Sequence, residues 1–443
     1  MNYTKFSDSI RGILFERRHI PEECGLDNTL FMNILKLISG EGIGRIIGFI
    51  AAPFITRLYT PSDFGILAVF SSLCALSYPF CTLRYNIAIP LHPNEKVGIN
   101  ALAACLFILV VNTLIVSAAL ILFHSQILSF CSSEDIDAFW YFVPVAFFLC
   151  GISEVLSYYS TRYRYFSIIA KVTVTQKIIG ASTKIVLGLL HSNVIGLLIG
   201  NILAESGGLT LYMRSYWERL RNSARNVTWQ KICFVLKRYV DFPLYRLPSQ
   251  ILQTASGSLP ILYFAWHFGT GTTGRISLAI TMLSVPVSIA CKSVGKAFYG
   301  EIAALGRKNG REISALTVRI MKRLLVISIV PFTLVVCFGP WIFQTFFGSE
   351  WTESGTFARY LCFYLIFRFV YSPISDGIFN VFERQKLVFW LEVSRIAIVA
   401  LSLFTSYFYH FSVANTIVIY SLALTVQYIL SIILVFHVLR KAL

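Results

Sequence analysis

The chain has 443 residues, of which 56% are hydrophobic and 14% charged, and its 38 Lys and Arg against 22 Asp and Glu give a formal net charge of +16. A soluble protein carries about 25% charged residues, and a disordered chain lacks the 37 Phe and 22 Tyr found here. These classes are therefore excluded, and the composition indicates an integral membrane protein. Because no Lys/Arg-rich block stands apart from the apolar segments, a nucleic-acid partner is not expected.

The first 33 residues are too polar for a cleaved signal peptide and form a predicted cytoplasmic arm. Phe6, Ile10, Ile13 and Leu14 recur at helical spacing opposite an Arg cluster. This pattern is typical of an interfacial helix on the membrane surface. A solvated tail is the alternative interpretation.

Twelve apolar stretches are long enough to cross about 30 Å of hydrocarbon. They are residues 34–57, 62–83, 98–123, 138–159, 168–190, 193–213, 243–267, 275–295, 320–345, 356–380, 386–407 and 413–437. The polar stretch 214–242 is a predicted cytoplasmic linker between an N-terminal half, 34–213, and a C-terminal half, 243–443. Pro53 and Pro79 recur as Pro260 and Pro286 at one offset, which favours related halves. The sequence predicts an all-α membrane protein of twelve transmembrane helices, in two six-helix bundles around a central cavity.

The basic residues are distributed unequally between the two sides of the predicted membrane. If the N-terminus is cytoplasmic, 27 Lys and Arg lie in inside segments and three lie outside, at Arg57, Arg275 and Arg359. Positive charge accumulates on the cytoplasmic side of membrane proteins. Both termini are therefore predicted to be cytoplasmic.

Eight basic residues remain at membrane depth. They are Lys36, Arg45, Lys177, Lys184, Arg246, Lys292, Arg368 and Arg395. A charge facing lipid at a helix centre costs about 2.5 to 3.5 kcal/mol. These side chains must therefore extend to the interface, pair with an acid, or face an aqueous interior. Lys36 and Lys292 lie near span ends, where they are able to reach the interface.

Local acids give some of these cations a partner and leave others without one. Arg45 lies four residues after Glu41 and Arg395 three after Glu392, so each fits an intrahelical pair or a cavity-facing cation. Lys177 and Lys184 are seven residues apart on one helical stripe with no acid in their span, which favours a cavity.

Two other charged residues have no close partner of opposite charge in their predicted spans. Arg368 lies among aromatic residues and is interpreted as lining the cavity or pairing between bundles. Glu205 has no cation in its span, and either a cation-coupling or a structural role fits it. A cavity with a cationic excess is expected to bind an anion such as phosphate.

Other motifs are less specific. Gly40, Gly44 and Gly48 recur every fourth residue, which indicates close helix packing, with a flexible gate as the alternative. The ten cysteines form no CxxC pattern, so neither a disulfide nor a metal site is expected. No catalytic or metal-binding motif is present, and the chain is predicted to be a transporter rather than an enzyme.

Residues 42–70, GIGRIIGFIAAPFITRLYTPSDFGILAVF, resemble the opening of Wzx-type polysaccharide exporters. The resemblance depends on the glycine-rich helix and on Arg57, Pro61, Phe64 and Gly65 at the first outside turn. These exporters belong to the multidrug/oligosaccharidyl-lipid/polysaccharide exporter superfamily, which also contains the MATE exporters. The resemblance implies a MATE-like fold in the bacterial inner membrane.

The resemblance also implies a function in lipopolysaccharide and O-antigen biosynthesis. The expected cargo is an undecaprenyl-pyrophosphate-linked sugar repeat, flipped from the cytoplasmic to the periplasmic leaflet by alternating access. The expected surroundings are the phospholipid bilayer and other polysaccharide assembly proteins. No cofactor is expected; a proton or sodium gradient is the implied driving force, with Glu41, Glu205 and Glu392 as candidate coupling acids.

Two alternatives stay open. A multidrug or other small-molecule exporter shares the architecture but is expected to present acids to cationic cargo. A polytopic polymerase acting on the same lipid is expected to need a large outside loop, and no predicted outside loop exceeds about fifteen residues.

Overall fold

A computed structural model describes residues 26–91, 95–122, 139–163, 165–306, 309–382 and 384–440. The described chain is almost entirely helical and contains no β-strand. The predicted interfacial helix near Phe6 to Leu14 lies outside the described residues. So does most of the N-terminal arm.

Thirteen helices follow one another along the described chain. They are α1 Leu26–Leu58, α2 Pro61–Ser77, α3 Glu95–Leu122, α4 Phe142–Arg162, α5 Phe166–Leu189, α6 Asn193–Ser206, α7 Leu209–Ala224, α8 Trp229–Arg238, α9 Leu247–Leu305, α10 Gly310–Phe347, α11 Thr352–Val381, α12 Gln385–Phe408 and α13 Val413–Arg440. Helix α9 is broken at Gly269, whose φ of 82° and ψ of 170° are not helical. We therefore divide it into a first limb, 247–268, and a second limb, 270–305.

Nine stretches of the described chain are long and apolar enough to cross a membrane. One of them, 242–289, turns at Gly269 and covers two of the predicted spans. The predicted spans 34–57 and 168–190 are also helical, as α1 and α5, although their charged residues make them less apolar. The pattern is consistent with the predicted twelve crossings, and the fold is that of a helical membrane protein.

Apolar side chains cover much of the outer surface of these helices. On α3, α10 and α12 the exposed residues include Leu114, Val326 and Leu401, each about two-thirds exposed at 65%, 66% and 65%. In a bilayer such faces contact lipid instead of water. The buried core is largest in the C-terminal half, where α10, α11 and α13 pack with the second limb of α9.

The turn between α1 and α2 is fixed by its sequence. The Thr60 side chain accepts a hydrogen bond from the Asp63 backbone N–H, and the Asp63 carboxylate accepts one from the Thr60 N–H at 2.9 Å. This capping box, with Pro61 at the first helical position, ends α1 and starts α2. The turn predicted between the first two spans is present at this position.

The N-terminal turns of α2 and of the second α9 limb cross at backbone contact. A Cβ atom added to Gly65 would lie 1.9 Å from the Thr270 carbonyl oxygen, and one added to Gly274 would lie 1.8 Å from the Pro61 carbonyl oxygen. Pro61 and Gly65 are four residues apart, as are Thr270 and Gly274. The contact is therefore reciprocal: each helix contributes its first residue and the glycine four residues later.

The secondary structure of two predicted segments was not evident from the sequence. The predicted linker 214–242 is mostly helical, because α7 continues to Ala224 and α8 spans Trp229–Arg238. The predicted span 62–83 ends as an α-helix at Ser77 and continues as two short 3₁₀ turns and a non-helical segment. Pro79, which has no N–H to donate to the helix, lies in the first of these turns.

Candidate functional site: a cavity between the predicted halves

A cavity of about 840 Å³ lies between α1, α2, α5 and α6 on one side and both limbs of α9 on the other. Five charged residues line it: Glu41, Arg45, Lys177, Lys184 and Glu205. Three cations and two acids leave the lining with one excess positive charge. Most other polar lining residues carry hydroxyl or amide groups, and the aromatic lining residues are Phe49 and Phe64.

Arg45 connects the two sides of this cavity. Its guanidinium donates a hydrogen bond of 2.7 Å to the Ser288 hydroxyl on the second α9 limb. The sequence offered Glu41 as a partner for Arg45, and Glu41 also lines the cavity. Because a hydroxyl does not neutralise a guanidinium, the Ser288 contact leaves the full charge of Arg45 available.

Lys177 pairs with Glu205 across α5 and α6. The Lys177 ammonium lies 2.5 Å from a Glu205 carboxylate oxygen and also donates to the Ala204 carbonyl oxygen at 3.1 Å. Gln176 supports α6 at the same level, donating to the Glu205 carbonyl oxygen at 2.7 Å. Neither residue has an oppositely charged partner in its own span, but the fold pairs them. The expectation of an unpaired Lys177 is thereby corrected, because the acid comes from the neighbouring helix.

Lys184 has no carboxylate within ion-pair distance among the described residues. It lies two turns after Lys177 on α5 and lines the same cavity. Its side chain lies against Gly200 of α6, where an added Cβ atom would meet the Lys184 Cγ atom at 2.3 Å. The absence of a side chain at Gly200 therefore makes room for this lysine.

The glycine repeat of α1 has a different role at each position. A Cβ atom on Gly40 would meet the Ala170 Cβ atom at 2.7 Å, and one on Gly44 would meet the Lys177 Cγ atom at 3.0 Å. These two glycines bring α1 close to α5, as predicted for packing. Gly48 meets no atom within 4 Å and lines the cavity instead.

Arg368 lies within the C-terminal half and is not among the residues that line the cavity. Tyr364, Tyr420 and Tyr428 lie close to it. The Tyr364 and Tyr428 rings are stacked, with centroids 6.4 Å apart. The structure thus places Arg368 in a tyrosine cluster instead of the predicted cavity wall, because this face of α11 packs on α13.

Arg395 and Glu392 form the intrahelical ion pair that their spacing predicts. Arg395 also donates to the Ser256 hydroxyl at 3.0 Å, which connects α12 to the first limb of α9. Neither residue lines the cavity. They are therefore not brought together with the other candidate cations or coupling acids.

The remaining two candidate cations also lie apart from the cavity wall. Arg246 is exposed in the short π-helical turn Phe242–Arg246 that precedes α9. Arg246 was assigned to membrane depth because the predicted span 243–267 begins within this turn. The side chain of Lys292 lies outside the described part of the chain, as does that of Lys36.

Contacts between the predicted halves close the cavity at the end carrying the predicted outside turns. The Ser62 and Thr270 hydroxyls are 2.7 Å apart, beside the Gly65 and Gly274 contacts described above. The Trp351 indole N–H donates to the Thr56 carbonyl oxygen at 3.0 Å. We call this set of contacts the outer seal.

The four residues of the first-turn motif belong to this outer seal. Arg57 donates to the Thr345 carbonyl oxygen at 3.4 Å, and Phe64 packs edge-on against Trp351 with ring centroids 4.9 Å apart. Pro61 and Gly65 make the backbone contact with the second limb of α9. The motif therefore supports contact between the halves as well as the tight turn that the sequence indicated.

Sequence reasoning missed two residues that position the cavity charges. Nothing in the sequence marks Ser288 as a partner of Arg45, because serine is common in helices and Arg45 is 243 residues away. Gly200 was detectable only as a small residue in an apolar span. No group of three or more His, Cys, Asp or Glu in the described chain is arranged to hold a metal ion.

Solved structures with the same fold cover nearly the whole chain. The lipid II flippase MurJ, in an inward closed conformation, matches with a TM-score of 0.69 and 13% identity over 92% of this chain and 89% of that one. An inward-facing multidrug resistance MATE family transporter of the MOP superfamily gives a TM-score of 0.52 and 13% identity over 92% and 94% of the two chains. A MOP superfamily transporter from Pyrococcus furiosus is described as having a binding pocket of reverse polarity. It matches with a TM-score of 0.53 and 14% identity over 93% of this chain and 96% of that one.

At these identities the matches establish the fold, which is that of a multi-pass transporter of the MATE and MurJ type. A comparison with curated protein sequences finds no significant match. The profile of the family described as Polysaccharide biosynthesis protein matches residues 54–356. The chain belongs to that family. The prediction of a MATE-like helical membrane fold is confirmed.

Proposed function

We propose that the chain is a lipid-linked oligosaccharide flippase. Its cargo is an undecaprenyl-pyrophosphate-linked sugar repeat, which it moves from the cytoplasmic to the periplasmic leaflet of the bacterial inner membrane during O-antigen assembly. The observation that carries this proposal is the positively charged cavity between the predicted halves. The family and the flippase-like fold support the same conclusion.

The cavity chemistry suits a diphosphate. Arg45 presents a guanidinium whose partner in the structure is a neutral hydroxyl, and Lys184 presents an ammonium without an acid partner among the described residues. Arginine and lysine bind phosphate oxygens through charge-assisted hydrogen bonds. The Glu205 carboxylate occupies the position at Lys177 that a phosphate oxygen would take. An incoming phosphate would therefore have to displace this carboxylate from the lysine.

The rest of the cargo is accommodated by other surfaces. Hydroxyl and amide groups at Ser71, Ser72, Asn201, Ser258 and Thr281 line the cavity and are able to hydrogen-bond sugar hydroxyls. The volume of about 840 Å³ is within the range of sites that hold small polar ligands. The polyprenyl tail remains in the lipid beside the helices.

Alternating access follows from the position of the outer seal. In this conformation the predicted outside end is closed by Gly65, Gly274 and Trp351. Export then requires the halves to rock until these contacts separate and the cavity opens to the periplasm. Of the candidate coupling acids, Glu41 and Glu205 line the cavity, whereas Glu392 pairs with Arg395 elsewhere.

The second candidate is a drug or small-molecule exporter of the same fold. Cationic drugs require acids at the binding site, whereas this lining has more cations than acids. The charge of the cavity therefore favours the flippase over a cation exporter. A polymerase acting on the same lipid would need catalytic groups, and neither the family nor the fold supports one.

The test is translocation by the purified protein in proteoliposomes. The probe is a fluorescent undecaprenyl diphosphate carrying one sugar, with loss of fluorescence to an impermeant quencher as the readout. We expect wild-type protein to move this lipid, and the Arg45→Gln and Lys177→Gln variants to move it at least tenfold more slowly. Lys171→Gln, an exposed lysine on the same helix as Lys177, is the matched control.

Two outcomes would contradict the proposal. Transport of a cationic dye, without movement of the diphosphate lipid, would favour the exporter. If both the Arg45→Gln and the Lys177→Gln proteins moved the lipid at the wild-type rate, the cavity cations would not be needed for transport.

A further inference from the structure

Two of the cavity cations, Lys177 and Lys184, lie at different depths along α5. Lys177 is twelve residues before the end of α5 and Lys184 is five. At 1.5 Å per residue, these positions are about 18 Å and about 8 Å from the end of the helix at the outer seal. The Cα atoms of the two lysines are therefore about 10 Å apart along the axis of α5.

Each lysine is held at its own level by a different neighbour. Lys177 is fixed by Glu205 and the Ala204 carbonyl oxygen. Lys184 lies along Gly200, with its Cγ and Cε atoms 2.3 Å and 3.2 Å from the position of an added Cβ atom. The two lysines are thus held at different levels along α5 and by different neighbours, and a head group that enters from the end opposite the outer seal reaches Lys177 before Lys184.

Lys184 also lies next to the closed end of the cavity. The Tyr59 hydroxyl donates to the Lys184 carbonyl oxygen at 2.7 Å, and Tyr59 directly follows α1 at the turn into α2. Leu197, which is fully buried, packs against Tyr59. The lysine is thus attached to the turn that must move when the outer seal opens.

We propose that Lys184 is a second anion station, which receives the diphosphate after Arg45 and Lys177 have bound it and before the outer seal opens. The inference rests on the proposed function and adds an order of events to it. Arg45 and Lys177 form the inner station, where the cytoplasmic cargo first binds. Gly200 is a positioning residue, because its missing side chain keeps the Lys184 ammonium at the outer level.

The first measurement uses protein locked with the outer seal closed. Ser62→Cys and Thr270→Cys introduce a cross-linkable pair at the hydroxyls that are 2.7 Å apart. Binding of inorganic pyrophosphate to the oxidised protein is then measured by calorimetry. We expect Lys177→Gln to weaken binding at least tenfold and Lys184→Gln to weaken it by no more than about threefold.

The second measurement is the initial rate of translocation of the fluorescent diphosphate lipid without the cross-link. We expect Lys184→Gln to reduce this rate at least tenfold, and Gly200→Ala to reduce it in the same direction. Lys184→Arg, which keeps the charge, should recover at least half of the wild-type rate. Lys171→Gln should behave as wild type in both assays, and pyrophosphate binding by the Lys184→Gln protein itself demonstrates that it is folded.

The outcomes separate the inference from the proposed function. Equal losses of pyrophosphate binding in the Lys177→Gln and Lys184→Gln proteins would show a single station and overturn the inference. Translocation at wild-type rate by the Lys184→Gln protein would overturn it as well. Wild-type protein that neither binds pyrophosphate nor moves the lipid would overturn the proposed function itself.

Discussion

Glu205 is predicted to weaken anion binding while it neutralises Lys177. Replacing it in a Glu205→Gln variant removes one negative charge from the cavity and frees the lysine, which lies 2.5 Å from the carboxylate. A phosphate oxygen that takes the place of this carboxylate at Lys177 would still lie about 6 Å from it once the Glu205 side chain has turned away. The repulsion removed is then about 0.7 kcal/mol per phosphate charge in water and about 2.8 kcal/mol at an effective dielectric of 20.

These values correspond to about threefold to about a hundredfold tighter binding. We expect the Glu205→Gln protein to bind inorganic pyrophosphate at least threefold more tightly than wild type, measured by calorimetry at fixed ionic strength. Lys177→Gln should weaken binding at least tenfold, because it removes a cation and leaves Glu205 without its partner. The double variant should bind more tightly than Lys177→Gln alone. Glu301→Gln, an exposed acid far along α9, is the control and should have no effect.

Unchanged or weaker pyrophosphate binding by the Glu205→Gln protein would refute this reasoning. It would mean that the carboxylate holds Lys177 in the conformation that binds the anion, instead of competing with it. A double variant no better than Lys177→Gln would point to the same error.

Three further predictions concern the parts around the cavity. Gly65→Ala should destabilise the outer seal by about 1 to 3 kcal/mol, because its Cβ atom would overlap the Thr270 carbonyl. The measurement is the yield of the Ser62→Cys/Thr270→Cys cross-link, which should fall. Trp351→Phe removes the hydrogen bond to the Thr56 carbonyl and should lower that yield by an amount equivalent to about 1 kcal/mol. Arg395→Met should lower thermal stability by about 2 kcal/mol, since it leaves a partly buried glutamate unpaired, without changing pyrophosphate binding.

Each of these predictions has an outcome that contradicts it. A wild-type cross-link yield in the Gly65→Ala protein would mean that the seal tolerates the added methyl group. The same result for Trp351→Phe would show that the indole is present for packing alone. A large loss of pyrophosphate binding in the Arg395→Met protein would place that arginine in the anion path, against the geometry described here.

The helical fold was predictable because its signals are local. Long apolar stretches and the Thr60–Asp63 capping box each act within a few residues of sequence, and the structure contains the corresponding helices and turn. Local signals did not show where helices break or continue within these segments. Gly207 and Gly208 interrupt the predicted span 193–213, and the predicted linker is helical because α8 buries Ile232 and Val235 against the protein.

The candidate site was predictable only in part, because its pairings join distant segments. Spacing offered the pair of Arg395 and Glu392 as one of two alternatives, and the structure contains it. Spacing gave no indication of the contact between Lys177 and Glu205, which lie on different helices. Charge counting placed Arg368 with the cavity cations, although a mid-span arginine is equally able to lie among tyrosines inside one half.

The most direct test of the central claim is a structure of the protein with a bound undecaprenyl diphosphate sugar. The account predicts that, with the outer seal closed, the phosphorus atoms lie within about 4 Å of the Arg45 guanidinium and the Lys177 ammonium, with Glu205 turned away from the lysine. A head group bound elsewhere, such as at the Arg368 tyrosine cluster, with the Lys177–Glu205 pair intact, would contradict it.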